Sequence, residues 1–232
     1  MNIAVVVVAA GRGTRIGGDT PKAFVPLAGI PMVVYGLRTL VQLRKVVSVI
    51  LVVGTGDRER AQAVLEQYGP WPVVVRMTRG GAERQDSVAA GLGLVDADAE
   101  LVVIHDAARP FVSLLSATAC ATAAAAHDAA IVAVPAHDTV KLADDHRITQ
   151  TLDRQRIWLA QTPQIFRVAL LREAYGRAAR DQRTATDDAA LVEHLGKTVH
   201  IVPGEPTNRK ITTPDDVRWA EWYLAEQAKA AR

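Results

Sequence analysis

Apolar runs too continuous to alternate between a wet and a dry face recur along the chain. They are "IAVVVV" at 3–8, "VVSVILVV" at 46–53, "PVVVRM" at 72–77, "LVVIHDA" at 101–107 and "AAIVAVPA" at 129–136, with "TVHIVP" at 198–203. Strands of that kind must be covered on both faces, the condition met in a parallel sheet between helices. The intervals supply the cover, since helical patterns fit 31–43, 58–68, 85–94 and 113–127. This alternation predicts an α/β fold, a mostly parallel twisted sheet flanked by helices. All of these strands but the last fall before residue 137. After Pro135 the character changes: "HDTVKLADDHRITQTLDR" sets two alternating segments around a polar "ADDH" turn. That predicts a β-hairpin too polar for the main sheet, projecting as an arm over 136–157. Helices are expected again at 167–179 and 187–195, and a last one is N-capped by Thr213 and starts at Pro214. No repeat or linker divides the 232 residues, so a single domain over 1–232 is expected.

Composition narrows what such a domain serves. The net charge of +2, without a Lys/Arg run or a basic amphipathic helix, argues against a nucleic-acid or membrane surface. The single cysteine, Cys120 in "SATACATAAAAHDAA", permits no disulfide framework and reads as a small buried filler. With neither a signal-peptide pattern at the start nor an apolar run long enough to span a bilayer, a cytoplasmic location is expected.

In an open parallel sheet, ligands bind beyond the carboxyl ends of the strands, which makes the segments after each strand the chemical ones. The first strand runs into "AAGRGTRIGGDTPKAF", 9–24. A P-loop would need Lys where Asp19 stands, and a dinucleotide fingerprint would need Gly where Ile16 stands and an acid soon after the second strand. What remains is G-x-G-x-R followed by Pro21 and Lys22, two cations within reach of one polyphosphate. Gly80 and Gly81 permit close approach of backbone to a ligand, and Asp86 or Ser87 can begin a helix whose amides face it. Asp106, at a strand end, suits Mg²⁺ beside a polyphosphate, or serves as an N-cap or an ion-pair partner of Arg109. The six histidines lack metal-site spacing, and His105 is expected to pack beside the sheet.

Taken together in order, the opening loop, "GGAERQDSVAAGL", "VIHDAARPF", "VPAHDTVK", "WLAQTPQIF", "TDDAALVE" and "NRKITTPDD" resemble the 2-C-methyl-D-erythritol 4-phosphate cytidylyltransferases of the non-mevalonate isoprenoid pathway. The resemblance covers essentially the whole chain. It implies a Rossmann-like nucleotidyltransferase fold, a homodimer, a Mg²⁺ requirement, and transfer of CMP from CTP to the polyol phosphate with release of pyrophosphate. It also implies roles. Arg15, Lys22 and Lys210 act on the triphosphate, Asp106 binds the metal, and Ala10, Gly11, Gly13 and Gly81 with Ser87 hold the cytidine. Arg109, Thr139, Arg154, Thr162 and Thr186 surround the acceptor, with the arm crossing to the other subunit. Ala82 and Gln85 depart from the family pattern within the glycine loop.

These roles agree with the chemistry. A phosphomonoester is mostly dianionic at neutral pH, so the incoming nucleophile needs no general base. The difficulty is to bring it up to the α-phosphate and to stabilise the charge that builds there, which is work for cations. Three other readings compete: a ribitol 5-phosphate cytidylyltransferase, sharing the loops; a nucleotide-dependent oxidoreductase, lacking its acid after strand two; and a non-catalytic nucleotide sensor, with no reason to keep Arg15, Lys22, Asp106 and Lys210 together.

Overall fold

The computed structural model describes the chain apart from Arg12, Thr14, Arg15, Gly18, Asp19, Ala231 and Arg232. In the first half, β1 (Ile3–Ala9) leads through a 3-10 turn at Lys22–Phe24 to a small pair, β2 (Pro26–Leu27) and β3 (Ile30–Pro31). Then follow α1 (Met32–Leu40), β4 (Val46–Val53), α2 (Arg58–Tyr68), β5 (Val74–Arg79), α3 (Arg84–Leu92), β6 (Leu101–Asp106), α4 (Leu114–His127) and β7 (Ala129–Pro135). The second half holds the hairpin β8 (Lys141–Asp144) and β9 (Arg147–Thr151), then β10 (Trp158–Arg167), α5 (Val168–Arg180), α6 (Asp188–His194), β11 (His200–Pro203) and α7 (Pro214–Ala230).

Seven strands make one sheet in the order β11-β7-β10-β6-β1-β4-β5. The apolar runs do what their continuity requires. On one face Val5, Val7, Val49, Leu51 and Val103 pack with Leu37, Ala61, Leu65, Ala117 and Ala124 of α1, α2 and α4. On the other, Val6, Ile50, Val52, Val102 and Ile104 pack with Val88, Leu92, Leu171, Ala174, Leu191 and Val192 of α3, α5 and α6. Cys120 lies buried in the first layer with its thiol toward the Ala130 carbonyl, and burial pushes its pKa up to about 12, as an inert filler requires. A smaller cluster of Leu27, Met32, Ala108, Ile211 and Ala220 docks α7, whose start follows the expected cap. Thr213 Oγ1 accepts from the Asp216 amide at 3.2 Å.

Two expectations need correcting. "WLAQTPQIF", which is not among the expected strands, makes most of the ten-residue β10, which lies inside the sheet, antiparallel to both β6 and β7. Its proline and glutamines hide it, because a proline ordinarily demotes a strand. Here the ladder to β7 is interrupted between Ala160 and Gln164, so Pro163 takes no ladder position. Second, α3 begins at Arg84, ahead of both candidates for its start. Glu83 is the N-cap residue, and its amide donates to the Asp86 carboxylate at 3.0 Å.

The hairpin stands apart as expected. β8 and β9 pair only with each other, every residue of both is exposed, and Asp145 and His146 turn the chain with φ of 46° and 63°. Both central turn residues at positive φ match a two-residue hairpin loop. Leu142 is 51% exposed and Ile148 64% exposed, an apolar surface that the rest of this chain does not cover.

Candidate active site

Two cavities, of about 250 Å³ and about 210 Å³, open beyond the carboxyl ends of β1 and β6 and share Arg84, Asp106 and Lys210. The first takes in Ala10, Gly11, Gly13 and Lys22 from the segment after β1, and Gly81 and Ser87 from the segment that leads into α3. The second takes in Arg109, Gln161, Thr162, Gln164, Thr186 and Asp187. Thus the predicted nucleotide residues fall in one cavity and three predicted acceptor residues in its neighbour. Arg15 lies outside the described residues.

The glycine loop folds this way for a steric reason. Gly13 has φ of +68°, and a Cβ on it would sit 2.4 Å from Lys22 Cβ, so only glycine lets the loop close over the Lys22 turn. Lys22 Nζ then reaches Thr212 Oγ1 at 3.4 Å, close to the segment that carries Lys210. Ser87 is committed within its own loop. Its hydroxyl donates to the Glu83 carbonyl at 3.1 Å and accepts from the Gly81 amide at 3.2 Å, shaping the wall of the first cavity.

Asp106 stands between the cavities. It does not pair with Arg109: its Oδ1 accepts from Arg84 Nε at 2.9 Å and its Oδ2 from Lys210 Nζ at 2.7 Å. Burial alone would raise its pKa, but Arg84 and Lys210 outweigh that and hold the carboxyl well below the usual range. Arg84 is itself anchored from behind. Its Nη1 lies 2.9 Å from Oδ2 of Asp188, whose Oδ1 accepts from Tyr175 Oη at 2.6 Å. Burial disfavours the charge on Arg84, yet the two carboxylates beside it prevail and its pKa is raised. Asp188, 1% exposed and holding only a share of one cation, is pushed up by burial.

In the second cavity, Arg109 donates to the carbonyls of Asn208 at 2.8 Å and Ala160 at 3.2 Å. It has no salt bridge with a carboxylate among the described residues, and its pKa is lowered, chiefly by burial. A half-buried guanidinium in that condition favours an incoming anion. Gln164 ties β10 to the start of α6, its amide nitrogen donating to Asp187 at 2.7 Å and its oxygen accepting from the Asp188 amide at 3.1 Å. Gln85, one of the two departures in the glycine loop, brackets the segment before Thr186. It donates to the Arg183 carbonyl at 3.1 Å and accepts from the Ala185 amide at 3.0 Å. His105 packs beside the sheet as expected, and burial lowers its pKa to about 4.

Thr139 and Arg154 do not line either cavity of their own chain. Both are exposed at the base of the hairpin, where Arg154 Nη1 donates to the His137 carbonyl at 2.6 Å. Arg84, Asp188, Tyr175 and Gln164 were not singled out from sequence. The signal for Arg84 was a cation after a strand end, in "GGAERQDSVAAGL", and for Asp188 a pair of carboxylates in "TDDAALVE", at the start of α6.

A family model described as 2-C-methyl-D-erythritol 4-phosphate cytidylyltransferase matches residues 3–226. The chain belongs to that family. A member from Pelotomaculum thermopropionicum, named 2-C-methyl-D-erythritol 4-phosphate cytidylyltransferase, is 45% identical over 99% of this chain and 97% of its own. Among solved structures, the family fold recurs in the 4-diphosphocytidyl-2C-methyl-D-erythritol synthase of Anaerococcus prevotii, with a TM-score of 0.85 and 31% identity over 97% of this chain and 98% of that one. The cytidylyltransferase of Thermus thermophilus superposes with a TM-score of 0.80 and 34% identity, covering 97% of this chain and 100% of its own. Membership makes the chain a nucleotidyltransferase. No described helix is long and apolar enough to cross a membrane.

Proposed function

We propose that this protein transfers the cytidylyl group of CTP to 2-C-methyl-D-erythritol 4-phosphate, releasing pyrophosphate and forming the cytidine diphosphate derivative of the polyol. The observation that carries the reading is the pair of adjoining cavities with Asp106, Arg84 and Lys210 in common. A phosphoryl acceptor in one and a triphosphate in the other would meet across those side chains. The acceptor phosphate is already ionised, so its oxygen attacks the α-phosphorus directly. The new P–O bond forms as the bond to the β-phosphate oxygen breaks, and the electron pair leaves on pyrophosphate. Lys22 and Lys210, with Arg15 from the same loop, stabilise the charge gathering on the equatorial and leaving oxygens. Backbone around Ala10, Gly11, Gly13 and Gly81 holds the cytidine, on a wall that Ser87 braces. Arg109, Thr162 and Thr186 hold the acceptor.

A divalent cation fits this site on the chemistry of its donors. Among the described residues no cluster of three or more ligating groups exists, and Mg²⁺ ordinarily takes one or two carboxylates together with substrate phosphates and water. Asp106 is the carboxylate in reach. When bound there, Mg²⁺ would supply charge neutralisation to the phosphates.

The active unit in this reading is a homodimer. The exposed apolar side chains of the arm offer a self-complementary surface, and Thr139 and Arg154 would complete the partner's acceptor cavity. In this reading the protein works in the cytoplasm, on the CTP pool there. The test is direct: incubate the protein with CTP, Mg²⁺ and either 2-C-methyl-D-erythritol 4-phosphate or ribitol 5-phosphate, then identify the product by mass spectrometry. Formation of the methylerythritol product supports the reading. Product from ribitol 5-phosphate alone, or none from either, overturns it.

A further inference from the structure

His105, the residue before Asp106 on β6, has a fully buried ring that meets both its neighbours through hydrogen bonds. Its Nε2 is 3.0 Å from the Arg109 carbonyl oxygen. A carbonyl can only accept, so Nε2 carries a hydrogen. Its Nδ1 lies 3.1 Å from Thr162 Oγ1, and that same oxygen already accepts from the Asp106 amide at 3.1 Å. With the hydrogen on Nε2, a neutral ring leaves Nδ1 bare. The Thr162 hydroxyl must then give its one hydrogen to the ring, and only a lone pair remains for a ligand. We propose that His105 is a positioning residue that fixes Thr162 as an acceptor-only contact, making Thr162 a reader of a substrate hydroxyl that excludes the phosphate end.

The consequence is orientation. A dianionic phosphate has no hydrogen to offer, whereas a polyol hydroxyl has one, so only the hydroxylated part of the acceptor can settle against Thr162. The phosphate is left to the cations around Asp106. A second feature supports a dedicated seat for the ring. Gly36, in the middle of α1, faces it so closely that a Cβ there would lie 3.2 Å from Nε2 and 3.4 Å from Cδ2. Glycine is a poor residue for a helix interior, and here it leaves room for an imidazole in one orientation. The proposal rests on reading the second cavity as the acceptor's, but the state of the ring can be read without any turnover.

The first measurement is therefore ¹⁵N NMR of histidine-labelled full-length protein, with His105 identified from its absence in His105→Asn. A hydrogen on Nε2 and a bare, hydrogen-bonded Nδ1 is the expected pattern. A hydrogen on Nδ1, alone or together with Nε2, overturns the proposal whatever the protein catalyses. Kinetics supply the second arm. His105→Leu should raise KM for the polyol phosphate about tenfold while KM for CTP stays within about twofold, the loss expected of one hydrogen bond. His105→Asn, whose amide oxygen can replace Nδ1 as acceptor, should recover most of that loss. Equal damage to both KM values, or a lowered melting temperature with unchanged kinetics, would reduce His105 to a structural residue and refute the claim. Should the leucine variant fail to fold, Gly36→Ala tests the same point by pushing on the ring. It should raise KM for the polyol phosphate about threefold and leave that for CTP alone. No change in either would count against the proposal. Failure of the wild type to make product would sink the function while leaving the NMR answer intact.

Discussion

Replacing Arg84 with Met tests how the two cavities are held together. The guanidinium is the shared partner of two carboxylates, 2.9 Å from each, and its side chain is only 24% exposed. Removing one member of a buried pair costs about 3–5 kcal/mol, because a charge is left in the interior without its partner. The lower end applies here, since Asp106 keeps Lys210 at 2.7 Å and Asp188 keeps the Tyr175 hydroxyl at 2.6 Å. A loss of about 3 kcal/mol corresponds to a melting temperature lower by roughly 6–12 °C for a domain of this size. The assay is urea unfolding followed by circular dichroism at pH 7.5 and pH 5. Asp188 already has a raised pKa, and without Arg84 it rises further. A carboxylate whose folded pKa lies above its unfolded value destabilises the fold at high pH, and the penalty fades as the pH falls through the folded value. The deficit of Arg84→Met should therefore be smaller at pH 5 than at pH 7.5. Adding Asp188→Asn should restore about half of it, by removing the orphaned charge. A deficit under about 1 kcal/mol at pH 7.5, or an Asp188→Asn that adds to the damage, would show that the network does not bear on stability.

Lys22→Ala should lower kcat by roughly two to four orders of magnitude, since a preorganised cation acts mainly on the transition state. A variant with normal kcat and only a raised KM for CTP would contradict that. Asp106 has a folded pKa below its unfolded value of about 4, so its contribution to stability is complete above pH 4 and disappears as the pH falls through the lower folded value. Asp106→Asn should accordingly flatten the acid limb of stability below about pH 4, measured as urea midpoints across pH. The dimeric site is tested by mixing two inactive homodimers, Lys22→Ala and Arg154→Ala. If each site draws these residues from different chains, random exchange makes about half the dimers mixed, each with one intact site, and about a quarter of wild-type activity returns. Confirmed exchange without recovery would place both residues in one chain's site.

Sequence made the parallel half of the sheet plain because its strands are mostly Val, Ile, Leu and Ala, and their continuity has one structural meaning. It also located the loops, since glycine and charge at a strand end are rarely compatible with anything else. β10 escaped because its middle carries Gln161, Thr162, Pro163 and Gln164, of which Gln161, Thr162 and Gln164 line the second cavity and none but Thr162 favours a strand. Arg84 escaped for a related reason. A cation beside glycines reads as one more ligand contact, and only the fold reveals two carboxylates, from β6 and from α6, meeting on it. An ion pair of Asp106 with Arg109, one of three readings that the sequence leaves open for Asp106, does not form, because Arg109 turns toward the Asn208 and Ala160 carbonyls instead.

The placement of β10 also dictates an order of events during synthesis. β6 and β7 flank it without touching each other, and β7 pairs otherwise only with β11, later still. While the ribosome adds the residues between Pro135 and Arg167, a matter of a few seconds, two apolar strands hold open edges that nothing upstream can close. A nascent chain stopped short of residue 167 is thus an aggregation hazard rather than a stable fragment. Because the inserted strand brings Gln161, Thr162 and Gln164 with it, one wall of the second cavity forms in the same step that joins β6 to β7, while Thr186, Asp187 and Lys210, later in the chain, complete the lining afterwards.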